Sequence, residues 1–211
     1  MDNSSEVGFL PVVCVIGSWS SGTTAVTGFL ARLGAYSCPP HFLTNDPLTP
    51  DSHESIELRN RLLRIYDEQT LQRIGQPELL SAWLRQWLVE ESAKARRQGC
   101  THIVIKHPLL ATLVSLLVEV CNPTFVVVTR PLPAIERTRL RRNWPEVYGA
   151  KGAPAIYSTA LNCLIDAQQS FLTVAFADFL SSPATRDSLV RTLELTPSES
   201  QRQSAEAWLR P

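Results

Sequence analysis

Three short stretches hold the residues that could do chemistry: Gly17-Ser18-Trp19-Ser20-Ser21-Gly22-Thr23-Thr24, then Lys106-His107, then Arg130 with Thr138 eight residues on. The first stretch joins an apolar β-branched run, Val12 to Ile16, to apolar residues at helical spacing, Val26, Phe29, Leu30 and Leu33. That pattern reads as strand, loop, helix. Backbone N–H groups at such a helix start have no intrahelical partner, and the helix dipole favours negative charge there. The loop is either an anion cradle, most often for phosphate, or an ordinary tight βα turn. A second site has to decide between them.

The spacing is nearly the P-loop pattern G-x-x-x-x-G-K-[ST], except that Thr23 stands where the phosphate-binding lysine belongs. Arg130 and Thr138 offer the second site. A guanidinium at a strand end and a hydroxyl in the following helix are placed to grip one phosphate, although a single arginine there, taken alone, favours a solvated arginine-rich helix that merely caps the fold. His107, just past another strand end, is a candidate base at neutral pH, and packing beside Pro108 is its alternative role. Glu54 is the rival base, a carboxylate that would need desolvation to become basic enough.

The elements that must position these residues follow from the order of patterns along the chain. The three stretches each end a strand: Val12 to Ile16, Thr101 to Ile105 and Thr124 to Thr129. Helical patterns run over 25–33, from Ser52 or His53 to a stop at Gly75, over 77–97, and over 109–120. They resume over 134–144, 156–169, 183–195 and 197–209, with a fourth strand at 170–176. Strands alternating with helices imply an α/β fold of three layers, a central parallel sheet of about four strands flanked by helices. Ligands in such sheets collect beyond the carboxyl ends of the strands, so the three chemical stretches should share one crevice. Residues 35–53 and 145–157 are irregular and proline-punctuated, and long loops of this kind in compact domains are often binding loops or lids.

Length and composition bound the reading. The 211 residues, 44% hydrophobic, suit a single domain over 1–211. Formal charge is zero, and the only lysines are Lys94, Lys106 and Lys151 beside many arginines. Arginine's planar fork suits local anion sites, whereas a nucleic-acid-coating field needs net positive charge, so nucleic acid is not an expected partner. The five cysteines are scattered, with no C-x-x-C pair and no His/Cys cluster at zinc spacing, and read as reduced core thiols with no metal expected. Met1 to Gly8 carry no cleavage-type signal, and Ile103 to Val128 is too interrupted to span a bilayer. A cytoplasmic location is the expectation, and the oligomeric state is left open.

With these residues in view, the chain resembles the sulfotransferases that use 3′-phosphoadenosine 5′-phosphosulfate (PAPS), as a small, bacterial-type member of the P-loop sulfotransferases. Ser21-Gly22-Thr23-Thr24 after the first strand is similar to the family's 5′-phosphosulfate loop, to which Ser20 adds its hydroxyl. Val126 to Pro131 with Thr138 is similar to its 3′-phosphate site. Ile105-Lys106-His107-Pro108-Leu109 is similar, one residue short, to the segment that supplies a catalytic histidine, and Val174 to Pro183 to the family's late segment. Residues 45–60, with Glu54, are loosely similar to an Asn, Gly, Glu signature of bacterial members, without the glycine. The chain departs from the family at Ser20, where Lys or Arg is usual, so the cation must come from elsewhere, Lys106 or a helix arginine.

The resemblance implies a transferase moving a sulfuryl group from PAPS to a hydroxyl or amine of a small-molecule or glycan acceptor, with no metal. Ser20 to Thr24, Arg130 and Thr138 would bind the donor, and His107, Lys106 and Glu54 would be catalytic. Two other classes stand beside it: a P-loop kinase or nucleotide phosphotransferase that has lost its lysine, and an inactive relative that binds nucleotide or a partner.

Overall fold

The computed structural model describes residues 8–209, so most of the polar opening stretch and the last two residues lie outside it. The first unit is as expected: strand β1, Val12–Ile16, wholly buried, leads through the loop into helix α1, Thr23–Arg32, with Gly34 just past its end in the left-handed conformation that glycine accepts freely. Next come a two-residue strand β2, Ala35–Tyr36, and a hairpin of β3, His41–Leu43, and β4, Asp51–Ser55. Helix α2, Ile56–Leu62, and the long α3, Leu80–Arg97, lead to β5, His102–Lys106. A 3-10 turn, Pro108–Leu113, precedes α4, Val114–Cys121, and β6, Thr124–Thr129. The chain ends with α5, Leu132–Arg142, α6, Ala153–Asp166, β7, Phe171–Ala175, α7, Phe176–Ser181, α8, Pro183–Thr192, and α9, Glu199–Trp208.

The central sheet is parallel throughout, in the order β2-β5-β1-β6-β7. Five strands rather than four form it, because the edge strand β2 is too short to leave a periodic signal in sequence. Within 35–53 the hairpin also replaces part of what reads as irregular. The helix expected from Ser52 or His53 starts only at Ile56, since the preceding five residues pair with β3. It stops at Leu62 rather than Gly75, and the Asp67 carboxylate then takes the N–H groups of Gln69 and Thr70 into a turn.

Alternation along β1, β5 and β6 sends residues to two cores. Cys14, Ile16, Ile103, Ile105, Phe125 and Val127 meet α3, α4 and α6 on one face, with Trp87, Leu88 and Leu117. Val13, Val15, Val104, Val126 and Val128 meet α1, α7, α8 and α9 on the other, with Phe29, Leu30 and Phe179. Three layers result. No helix among the described residues is long and apolar enough to cross a membrane.

Two packing features have measurable consequences. Gly28 of α1 lies against the Trp208 indole, whose N–H donates to the Ala25 carbonyl, and a Cβ at Gly28 would stand 2.6 Å from the ring. A Gly28→Ala protein gains about 1 kcal/mol of helix propensity but meets an overpacking cost of about 1–3 kcal/mol. Net destabilisation in urea unfolding is expected, and a stabilised variant would show that α9 yields freely. Asp46, buried in the β3–β4 loop, accepts from Arg141 at 2.7 and 2.9 Å and from Arg142 Nε at 2.7 Å, which pins that loop to α5. The Arg141 guanidinium holds its carboxyl well below the usual range, against burial. A lowered folded pKa stabilises fully above the unfolded value of about 4 and loses that stability as pH falls below it. Asp46→Asn should therefore cost on the order of 2 kcal/mol at neutral pH, with the difference from the parent shrinking in acid melts.

Candidate active site

The carboxyl ends of β1, β5 and β6 lie side by side in the sheet, and their following residues meet at one cleft of about 660 Å³. That volume is in the range of pockets that enclose small-molecule ligands. Ser20, Gly22, Thr23 and Thr24 line it from the loop, Lys106 from β5, and Arg130 and Thr138 from β6 and α5. Glu54 enters from the hairpin.

The loop is held by Ser21 N–H donating to Ser18 O, with Ser20 and Gly22 both at positive φ. Among the described residues no side chain caps α1, so its first N–H groups are left to the cleft. The buried Oγ atoms of Ser20 and Ser21 have no hydrogen-bond partner among the described residues. Unpaired buried hydroxyls are costly, and together with the uncapped helix start they suit an anion. At Gly22, with φ 101°, a Cβ would stand 2.2 Å from the Phe176 ring. Phe176, at the start of α7, therefore forms a wall of the cleft.

Arg130 and Thr138 come together as their spacing suggested. Arg130 Nη1 donates to Thr138 Oγ1 and to the Ser20 carbonyl, each at 3.0 Å, which ties the second anion stretch to the first. The guanidinium also stands 4.9 Å over the Phe176 ring, a cation–π contact. Among the described residues its Nε and Nη2 make no hydrogen bond, leaving donors for a phosphate.

Lys106 is 5% exposed, and its ammonium has three acceptors: Glu54 Oε1 at 2.7 Å, the Ser52 carbonyl at 3.0 Å and Thr24 Oγ1 at 3.1 Å. The cation missing from the loop at Thr23 and Ser20 thus arrives beside Thr24 from the neighbouring strand. Glu54 is 7% exposed, and burial pushes its carboxyl up. The opposing pull of Lys106, with Arg59 at 4.0 Å, leaves it below its ordinary value and ionised at neutral pH.

His107 does not face the crevice. It is 1% exposed, stands edge-on to Trp19 at 6.4 Å between centroids, and lies outside the residues lining the cleft. Burial pulls its pKa down to about 4, and Nδ1 accepts the Leu109 N–H at 3.2 Å. The neutral ring therefore carries its proton on Nε2, 3.9 Å from Glu54 Oε2, and has no lone pair to offer a substrate. The placement of this residue at the mouth of the site is corrected: it caps the 3-10 turn from within the core.

Several cleft residues left no mark in the sequence. Arg59 bonds Glu68, whose other oxygen also accepts from Tyr148 OH at 3.1 Å, and Tyr148 packs on Trp19 at 4.6 Å. Burial pushes the Glu68 carboxyl above its ordinary value, so the two cleft carboxylates, linked through Arg59, are driven in opposite directions. Tyr148 and the loop bearing Phe42 to Thr49 line the cleft, as expected of the two irregular stretches. Arg141 and Arg142 line it too, from the basic helix.

No family model matches the chain, and no match was found among curated protein sequences. Solved structures do match. The sulfotransferase domain from the Synechococcus PCC 7002 olefin synthase superposes with a TM-score of 0.54 at 19% identity, covering 95% of this chain and 78% of that one. The sulfotransferase STF1 from Mycobacterium tuberculosis H37Rv gives 0.53 at 15% identity, covering 95% and 72%. STF9 from Mycobacterium avium gives 0.54 at 12% identity, covering 97% and 68%. With its parallel sheet, its flanking helices and near-complete coverage of this chain in each superposition, the chain has the sulfotransferase fold.

Proposed function

We propose that the chain is a sulfotransferase that moves a sulfuryl group from PAPS to an acceptor hydroxyl or amine. One observation supports this above the others: a helix start without a side-chain cap, the orphaned Ser20 hydroxyl, a buried lysine and the Arg130–Thr138 pair line a single cleft at three adjacent strand ends. A lone anion loop would fit many ligands. Two anion sites tied by the Arg130 contact to Ser20 O fit a molecule with phosphate groups at both ends of a nucleoside.

In this reading Ser20 to Thr24 hold the 5′ end through backbone N–H groups and hydroxyls, and Arg130 and Thr138 hold the 3′-phosphate. When bound, PAPS supplies the activated sulfuryl group and a phosphate leaving group. Lys106 offsets negative charge at the loop, the role that Ser20 cannot take. Glu54 accepts the acceptor's proton. In the free protein its carboxylate is held by Lys106, and an anion in the loop that draws on the same ammonium raises the carboxylate's basicity. The aromatic wall of Trp19, Tyr148 and Trp144 excludes water and receives the acceptor.

Thermal shift separates this reading from a nucleotide phosphotransferase. Adenosine 3′,5′-bisphosphate should raise the melting temperature, with Arg130→Ala weakening its binding more than Thr138→Ala, since a charge-assisted contact exceeds a neutral one. Stabilisation by ATP with magnesium alone would overturn the assignment. Single-turnover transfer from labelled donor tests the base. Glu54→Gln should slow it by about 10²-fold or more while retaining bisphosphate binding, and Glu68→Gln should do less. His107→Asn should act only through stability, and a collapse of turnover in a well-folded His107→Asn protein would return the base role to the histidine.

A further inference from the structure

The β3–β4 hairpin brings together two histidines and an aspartate that the reaction does not use. Ligand atoms of His41, Asp51 and His53 all lie within 4.8 Å of one another, within reach of side-chain rotation to a common ion at bond lengths of about 2.0–2.2 Å. In sequence the three show no metal spacing. The hairpin's irregular register creates the cluster: His41 pairs with Ser55 and Leu43 with Asp51, so Phe42 alone stands opposite Ser52 to Glu54. His53, within this bulge, adopts φ 54°.

One observation points to a ligand, and a second places an oriented donor group beside it. His53 is 7% exposed, and neither of its ring nitrogens has a hydrogen-bond partner among the described residues. An imidazole buried with both polar atoms orphaned is costly unless something unrecorded in the protein's own contacts satisfies one of them. His41 supplies the other. Its Nε2 donates to the Ser37 carbonyl at 3.0 Å, which fixes the tautomer and turns the Nδ1 lone pair on Asp51 Oδ2 at 2.8 Å. With a proton on Nδ1 the two form an ordinary ion pair, and a metal would take that proton's place. An imidazole whose remote N–H is held by a backbone carbonyl is the arrangement that orients metal-ligating histidines.

We propose that His41, Asp51 and His53 form a site for a divalent transition metal, Zn²⁺ before others, with a position left open for water on the side of the partly exposed Asp51. Two neutral imidazole nitrogens and one carboxylate are a donor set for zinc, whereas Ca²⁺ and Mg²⁺ prefer all-oxygen sites. The metal would clamp the strand that carries Ser52 and Glu54 to Lys106, so its role is structural and holds whatever reaction the cleft performs.

The test is calorimetric titration of the chelator-stripped full chain with Zn²⁺ alone, alongside Co²⁺ absorption spectra. One equivalent should bind saturably and raise the melting temperature, without the thiolate charge-transfer band that cysteine ligation would give. Asp51→Asn, nearly isosteric and partly exposed, and His53→Ala should each weaken binding about tenfold or more, while His102→Ala and Cys163→Ser should leave it unchanged. No saturable site, a thiolate band, or an affinity that survives Asp51→Asn would each overturn the proposal, the last without depending on whether His53→Ala folds.

Discussion

A buried ammonium is the constraint on which the site depends. Lys106 has three N–H donors, and from the end of β5 it reaches three acceptors on two other segments: Thr24 at the start of α1, and Ser52 and Glu54 in the hairpin. Burying a charge without such partners costs several kcal/mol per ion, on the order of what holds a whole domain together. Moving any of the three segments strands the charge. The loop, the hairpin and the central sheet are therefore one unit, with Glu54 at its centre and the cation beside Thr24 supplied by β5 rather than by the loop itself.

The same lysine shows what can be read from sequence and what cannot. The three βα units were legible because buried parallel strands leave continuous apolar runs, and the convergence of their ends follows from topology alone. Which of two adjacent polar residues faces the cleft depends on parity. Along β5, Ile103 and Ile105 enter one core and Val104 the other, so Lys106 points to the α1 side with Val104. Pro108 restricts the residue before it to extended backbone, and His107 accordingly continues the strand's alternation at φ −168°, ψ 143°. It must then point to the opposite face, into the core with Trp19. The argument needs an assignment of faces, which the sequence supplies only once the helices' packing is known.

Other parts of the site were beyond any local pattern. Glu68 and Tyr148 meet across 80 residues, and Asp46 meets Arg141 across 95. The first contact joins two irregular segments, and the second joins an irregular segment to a helix. Such segments have no period to betray their direction, only residue types: an aspartate between prolines, a tyrosine after a short turn. The arginine-rich face of α5 was visible, yet its role differs from that of a solvated surface. Arg141 and Arg142 spend their charge on Asp46, and Arg142 also stacks over Trp144. That leaves Arg130, held only by a hydroxyl and a carbonyl, as the strand-end guanidinium of the cleft without a carboxylate partner among the described residues.

The hairpin is where local preference and global demand conflict most. A strand of Asp, Ser, His, Glu and Ser has almost no β-propensity and little apolar surface, and its pairing is interrupted by a bulge. Nothing in the segment itself explains why it should be ordered. Its order comes from both sides: Ser52 and Glu54 are anchored on Lys106, while Ser52 Oγ reaches Phe42 O, and Asp51 and His53 gather on His41. The positive φ at His53 is the geometric consequence, because one residue must turn sharply for its neighbours on either side to serve different clusters. A local rule broken in this way, with a carboxylate delivered to the cleft as the result, marks β4 as the segment whose placement is set by chemistry rather than by packing.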